Sequence, residues 1–193
     1  DYSKGLPERI DAIGRFFDLY PESVRDLVYI QIAPPSREDI RSYQRIRELL
    51  DQKTGQINGA RSEVDMAPIR YVNKGHTLAE LAGFYRACKI GLVTPLRDGM
   101  NLVAKEYVAA QDPKDPGVLI LSRFAGAAVQ LQDALLVNPY SVDDVAHAIR
   151  TALDMPLKER KARWEALNRS VEEENVLRWT ESFVGDLEAV ERV

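Results

Sequence analysis

The chain has 193 residues, which suits one domain that buries roughly 70% of its unfolded surface. Its 26 basic and 30 acidic residues are mixed along the sequence and give a net charge of −4. This balance excludes the basic face that nucleic-acid binding requires, so no nucleic-acid partner is expected. No stretch approaches the roughly 20 apolar residues that span a bilayer, so no membrane association is expected. Cys88 is the one cysteine, which excludes an internal disulfide and favours a cytoplasmic setting.

Apolar runs alternate with amphipathic stretches along the chain, a pattern typical of βαβ units and a parallel sheet. The pattern predicts strands at residues 27–33, 69–72, 90–94, 118–122 and 134–137. It predicts helices at about residues 7–20, 36–54, 77–88, 101–111, 141–154, 157–174 and 176–191. The signal is weakest at 56–68, where glycines and charges predict a helix end followed by a loop. The fold class is therefore predicted as α/β, a Rossmann-like parallel sheet flanked by helices.

The most informative segment is the short polar turn at 94–101, which joins the third predicted strand to the fourth predicted helix. A helix that begins at the carboxyl end of a strand offers unpaired N–H groups to an anion such as phosphate. Gly99 lets the backbone approach such a ligand closely, and Glu106 is placed to accept hydrogen bonds from hydroxyls of the molecule that carries the phosphate. The same residues also fit an ordinary turn, with Asn101 as the N-cap and Glu106 on a solvated face.

Three segments in order resemble one family of enzymes. They are Asp1-Tyr2-Ser3-Lys4-Gly5, Ile32-Ala33-Pro34-Pro35-Ser36-Arg37 and Arg97-Asp98-Gly99-Met100-Asn101-Leu102-Val103. Together they resemble the retaining nucleotide-sugar glycosyltransferases that have two Rossmann-like domains, the GT-B fold. Within these enzymes the similarity is to glycosyltransferase family 20, the trehalose-6-phosphate synthases. The resemblance extends over nearly the whole chain.

The resemblance implies roles for particular residues. Lys4 would contact the donor diphosphate, and Lys4 and Asp98 would be the catalytic residues. Glu106 would bind the ribose, and His76 would lie at the base, which the family contacts through backbone atoms. Arg37 would bind the acceptor phosphate, although by its position alone it also fits a surface residue at a helix start. The full set implied for the donor is Lys4, His76, Asp98, Gly99, Met100, Asn101, Leu102, Val103 and Glu106.

The activity that the resemblance implies is transfer of glucose from UDP-glucose to glucose 6-phosphate with retention. The products would be trehalose 6-phosphate and UDP, and no metal ion or other cofactor is expected. A related synthase with another phosphorylated acceptor, such as glycerol 3-phosphate, is an alternative. A non-catalytic module that binds a nucleotide sugar is another. A homo-oligomer is left open.

The resemblance also implies that residues 1–193 form the carboxyl-terminal, donor-binding half of a longer enzyme, because Asp1 already lies inside a motif. The amino-terminal domain would form most of the acceptor site, so this chain alone is expected to be inactive. The last helices, about 157–193, would cross to that amino-terminal domain. Some of the apolar side chains in this segment would then be exposed, whereas local packing would bury them; these are Trp179, Phe183, Leu187 and Val190.

Overall fold

The structure is a computed structural model that describes residues 1–34 and 41–190. Its strands are β1 (Tyr29–Ile32), β2 (Ile69–Val72), β3 (Ile90–Val93), β4 (Val118–Ser122) and β5 (Leu135–Val137). Its helices are α1 (Leu6–Leu19), α2 (Arg41–Arg61), α3 (Leu78–Ala87), α4 (Leu102–Ala110), α5 (Val142–Asp154), α6 (Leu157–Glu173) and α7 (Val176–Ala189). The predicted α/β class is confirmed, and every predicted strand is present. The predicted start of the second helix lies outside the described residues.

All the strand pairs are parallel, so their carboxyl ends meet at common edges. β1 pairs with β2, with Tyr29 opposite Ile69. β4 lies between β3 and β5, and all five of its residues are buried because its neighbours and helices cover it. Within the described ranges, no backbone pairing joins β1 and β2 to the sheet of β3, β4 and β5. The two sheets must therefore be held together by contacts other than hydrogen bonds between strands.

Helix α1 supplies the packing that both sheets share. Its apolar side chains are almost fully buried because they repeat at helical spacing on one face; they are Ile10, Ile13, Phe16 and Phe17. They belong to one cluster with Tyr29 and Ile69 of the first sheet and with Val118 and Ile120 of the second. A separate cluster joins α4, β4 and α6 and includes Tyr107, Leu119, Leu121 and Leu167. The cluster around α1 thus contains side chains from both sheets.

Helix α2 continues to Arg61, beyond the predicted end at about residue 54, and its last turns are the helix end expected within residues 56–68. Ile57 packs beside Gly14 of α1, so close that a Cβ on Gly14 would lie 3.0 Å from the Ile57 Cδ1. Asn58 donates to the Ile69 carbonyl at 2.9 Å and accepts from the Ile69 N–H at 3.0 Å. These tertiary contacts outweigh the poor helix propensity of Gly55 and Gly59.

Replacing Asn58 by alanine tests this anchoring. Ile69 is only 2% exposed, so Asn58→Ala leaves a buried N–H and a buried carbonyl without their partner. We expect the free energy of unfolding to fall by about 1–3 kcal/mol, the usual cost of unsatisfied buried groups. Urea denaturation measures it, with the exposed Gln56→Ala in the same helix as the control. Equal stability of the two variants would contradict the anchoring.

Helix α7 buries none of its residues against the described part of the chain. Trp179 is 64% exposed, Phe183 54%, Leu187 64% and Val190 67%, as the surplus of apolar residues predicted. The Trp179 and Phe183 rings stack on each other with centroids 5.2 Å apart. That this face packs on another domain stays a prediction. Among the described helices, none combines the length and the apolar character needed to cross a membrane.

Candidate functional site

Backbone hydrogen bonds hold the turn after β3 on both sides. On one side, the N–H of Leu96 donates to the Ser3 carbonyl at 2.8 Å. On the other side, the N–H of Asp98 donates to the Phe124 carbonyl at 3.2 Å, and the Asp98 carbonyl accepts from the Gly126 N–H at 2.9 Å. The turn is therefore fixed between the amino-terminal segment and the loop that follows β4.

Two glycines allow these segments to approach so closely. Gly5 has a φ of 63°, in the left-handed region, and a Cβ there would lie 2.5 Å from the Thr94 carbonyl oxygen. A Cβ at Gly126 would lie 2.1 Å from the Gly99 carbonyl oxygen. No described residue lies within 4 Å of the Cβ position of Gly99, so the described part of the chain does not require a glycine there. Its predicted role, close approach to a ligand, remains a prediction.

This arrangement brings Lys4 and Asp98 into contact. The Lys4 Nζ donates to the Asp98 Oδ2 at 2.6 Å, and the Asn101 Nδ2 donates to the same oxygen at 3.1 Å. Partial burial raises the pKa of Asp98. The hydrogen bond and charge of Lys4, together with the hydrogen bonds from the Met100 N–H and Asn101, lower the pKa by a larger amount. The net result is a pKa below 3.8, so the carboxylate is charged at neutral pH.

Helix α4 begins beside this ion pair with an ordered N-cap. The Asn101 Oδ1 accepts from the Ala104 N–H at 3.0 Å, as the predicted cap requires. Asn101 has a φ of 85°, a backbone conformation that asparagine tolerates better than most residues. The N–H groups of Leu102 and Val103 lie in the first turn, where a helix offers them no carbonyl partner. The ammonium of Lys4 and the helix N-terminus together favour an anion at this place.

An open cleft of about 640 Å³ adjoins the ion pair. Its lining combines predicted site residues with others that the sequence did not indicate; it comprises Asp1, Tyr2, Ser3, Lys4, Tyr43, Arg97, Asp98, Gly99 and Phe124. Phe124 and Gly126 were missed. A signal for them existed, because parallel neighbours end at the same edge and the loop after β4 must therefore meet the turn after β3.

The other predicted residues lie away from this lining. The half-buried Glu106 on α4 accepts from the Tyr85 hydroxyl at 3.5 Å, and burial, with Glu106, raises the pKa of Tyr85. His76 lies in the turn before α3, packed edge-on against the Phe84 ring with its Nδ1 3.7 Å from Glu80. Glu106 therefore faces α3 across the contact between the two helices, and His76 packs against side chains of α3. Their ribose and base roles stay predictions.

Three further observations complete the site. Met100, Leu102 and Val103 are exposed. The Met100 backbone is engaged within the protein, because its N–H donates to the Asp98 Oδ1 at 3.4 Å and its carbonyl accepts from the Ala127 N–H at 2.8 Å. Arg37, predicted to bind the acceptor phosphate, lies outside the described residues. In residues 1–34 and 41–190, no group of three or more His, Cys, Asp or Glu side chains is placed to hold a metal ion.

Parallel βαβ units, with a cleft and an exposed helix N-terminus at the carboxyl ends of the strands, define a Rossmann-like α/β domain. Residues 1–189 match the family model described as Glycosyltransferase family 20. The chain belongs to glycosyltransferase family 20 and has the Rossmann-like architecture of a GT-B enzyme.

Similar proteins in this family are trehalose-6-phosphate synthases. The chain is 51% identical to the one from Sinorhizobium fredii over 189 residues, which are 98% of this chain and 41% of that protein. It is 52% identical to the one from Enterobacter sp. strain 638, covering 97% of this chain and 40% of that protein. The chain thus spans about two fifths of the length of these relatives.

Solved structures of trehalose-6-phosphate synthases are also similar to this chain. A UDP-forming alpha,alpha-trehalose-phosphate synthase from Burkholderia xenovorans, in complex with glucose-6-phosphate, superposes with a TM-score of 0.94 at 50% identity. It matches 98% of this chain and 42% of that structure. An E. coli structure bound with UDP-2-fluoro glucose superposes with a TM-score of 0.95 at 48% identity, over 99% of this chain and 42% of that chain.

The ion pair at the site predicts a pH response. Because the folded pKa of Asp98 is lowered, its contribution to stability is present above pH 3.8 and is lost as the pH falls through the folded pKa. We expect the carboxyl ¹³C signal of Asp98 to titrate with a midpoint below 3.8, and Lys4→Ala to raise that midpoint. NMR titration of both proteins measures it, with the exposed Lys114→Ala as the control. An identical midpoint with and without Lys4 would contradict the pairing.

Proposed function

We propose that this chain is the donor-binding domain of a retaining glucosyltransferase, which transfers glucose from UDP-glucose to glucose 6-phosphate and yields trehalose 6-phosphate and UDP. The observation that carries the proposal is the Lys4–Asp98 pair, placed at the helix N-terminus beside an open cleft. Support comes from the similarity to structures that hold UDP-2-fluoro glucose and glucose-6-phosphate. The domain is the carboxyl-terminal half of a longer cytoplasmic protein, and the acceptor binds with the help of the amino-terminal half.

The chemical task of the donor site is to stabilise a leaving diphosphate that gains negative charge. The Lys4 ammonium has three N–H donors, and its contact with Asp98 uses one of them. The side chain is 45% exposed, so it can turn toward a diphosphate in the cleft. The N–H groups of Leu102 and Val103 add fixed donors whose orientation does not change during the reaction. One such preorganised donor contributes about 3 kcal/mol to the stability of a transition state.

Asp98 serves as a fixed hydrogen-bond acceptor for the donor glucose. Its lowered pKa keeps it charged, and a charged carboxylate accepts hydrogen bonds only. Lys4 and Asn101 hold its Oδ2 and the Met100 N–H holds its Oδ1, so the carboxylate is fixed and its remaining lone pairs accept from the sugar hydroxyls. The retained configuration follows a front-face route, in which the departing phosphate oxygen receives the proton of the acceptor hydroxyl. No protein carboxylate acts as the nucleophile on this route.

Glu106 and His76 extend the donor site along α4 and α3. Glu106 accepts hydrogen bonds from the ribose hydroxyls while the Tyr85 hydroxyl holds its other side. The backbone around His76 meets the uracil base. Arg37 binds the acceptor phosphate, because a guanidinium pairs with phosphate through two parallel hydrogen bonds.

Calorimetric titration with UDP, without added metal, tests the donor site. We expect saturable binding, and we expect Lys4→Ala to weaken it by about tenfold to a hundredfold, the range for a hydrogen bond to a charged group. Glu106→Ala should weaken UDP binding by about fivefold to tenfold through loss of the ribose contact. The exposed Lys114→Ala and Glu165→Ala are matched controls that should bind normally. A chain that binds no UDP, or a Lys4→Ala variant that binds as tightly, would refute the proposal.

Turnover provides a separate test in the longer protein. We expect Lys4→Ala to lower kcat by about a hundredfold or more, because the transition state loses a preorganised donor. The assay follows UDP release and trehalose 6-phosphate formation with UDP-glucose and glucose 6-phosphate. The isolated chain should give no product. Near-normal kcat in the variant would remove Lys4 from the reaction.

A further inference from the structure

Arg9 on α1 connects three separate parts of the chain. Its Nε donates to the Thr94 Oγ1 at 3.0 Å, its Nη1 to the Gln31 Oε1 at 3.3 Å, and its Nη2 to the Lys4 carbonyl at 3.2 Å. Thr94 follows β3, Gln31 lies in β1, and Lys4 carries the ammonium of the site. One guanidinium thus spans the gap between the two sheets and contacts the segment that bears Lys4.

The partners of Arg9 hold it rigidly. Thr94 is 2% exposed and Gln31 5%, and buried polar groups of this kind need their hydrogen bonds. The Gln31 Oε1 also accepts from the Tyr29 hydroxyl, and the Gln31 Nε2 donates to the Ile32 carbonyl at 3.1 Å. Burial raises the pKa of Tyr29, although Arg9 lowers it, so this hydroxyl stays protonated and can donate. The planar fork of an arginine fits such a set of fixed acceptors better than a lysine does.

Arg9 also completes the attachment of the Lys4 segment. The Ser3 carbonyl accepts from the Leu96 N–H, and the next carbonyl, that of Lys4, accepts from Arg9. Two successive carbonyls are therefore tied to the carboxyl end of β3, directly or through Arg9. The position of the Lys4 backbone decides where its ammonium can reach, including the 2.6 Å contact with Asp98.

We propose that Arg9 is a positioning residue, whose guanidinium fixes the Lys4 main chain against the carboxyl end of β3 and so sets where the Lys4 ammonium meets the donor diphosphate. Arg9 is not among the residues that line the cleft, so it acts through Lys4. The part that concerns the diphosphate rests on the proposed function. The part that concerns the placement of Lys4 against Asp98 does not, and it is tested without any ligand.

The ligand-free test measures how fast the Lys4 amine is acetylated at neutral pH, by mass spectrometry. We expect acetylation of Lys4 to be about fivefold faster in Arg9→Ala, the equivalent of one lost net hydrogen bond, and to be raised less in Arg9→Lys. Lys53, paired with Asp11 of α1, is the internal reference that α1 stays in place. The matched control is Arg15→Ala on the same helix, whose partner is Asp143 and which should leave Lys4 unchanged.

The second test compares UDP affinity in two backgrounds. We expect Arg9→Lys to weaken UDP binding by about fivefold when Lys4 is present and by less than about twofold in the Lys4→Ala chain, because residues that act through one another are not additive. An equal loss in both backgrounds would overturn the proposal, since a merely structural role or a direct charge effect gives that result.

The two tests separate the failure of this inference from the failure of the proposed function. If the unmodified chain binds no UDP but Arg9→Ala still speeds acetylation of Lys4, the proposed function fails and the positioning of Lys4 stands. If Arg9→Ala does not fold, Arg9→Lys decides the outcome. Unchanged acetylation of Lys4 in the folded Arg9 variants overturns the inference whatever UDP does.

Discussion

The candidate site depends on the backbone hydrogen bonds that hold the turn at 94–101 between residues 3–5 and the loop after β4. We call these hydrogen bonds the backbone clamp. Three segments that are distant in the sequence meet there. The turn after β3 and the loop after β4 meet because parallel strands end at the same edge of a sheet, and residues 3–5 join them from the segment before α1. The contacts run through main-chain groups of Ser3, Leu96, Asp98 and Gly126, so they fix distances that side chains alone would leave loose. The carbonyl oxygens approach so closely that only glycine fits at residues 5 and 126. The 2.6 Å pair between Lys4 and Asp98 is a consequence of this clamp, not its cause.

The charges of the site compensate each other before any ligand binds. A lysine aimed at a cleft without an anion would carry an unopposed charge next to a helix N-terminus, which is itself positive. Asp98 removes this cost, and Asn101 satisfies the same carboxylate oxygen. Under the proposed function, a diphosphate in the cleft uses the remaining N–H donors of Lys4 while Lys4 and Asn101 keep the carboxylate in place. Such a site is preorganised for a ligand without storing a large unfavourable charge in the free protein.

Local signals made most of the fold and part of the site predictable. Apolar runs of four or five residues marked the strands, and the asparagine before an apolar helix marked the cap of α4. Contacts between distant residues could not be predicted in the same way. Helix α2 continues past its glycines because Asn58 binds the backbone of Ile69, which no local pattern reveals. Arg9 lies just after the motif at residues 1–5, yet its acceptors are 5, 22 and 85 residues away in the sequence.

Under the proposed function, the cleft and helix α7 share one requirement, which is a surface that covers them. Transfer of a glycosyl group to a sugar, and not to water, requires a site from which water is excluded. Among the described residues, the cleft beside Lys4 and Asp98 is open and lined mostly by polar residues, so these residues do not exclude water from it. Helix α7 meanwhile exposes Trp179, Phe183 and Leu187, and large apolar side chains exposed together mark an interaction surface. We expect one partner domain to meet both needs: it would bury the apolar face of α7 and, fixed by that contact, close over the cleft.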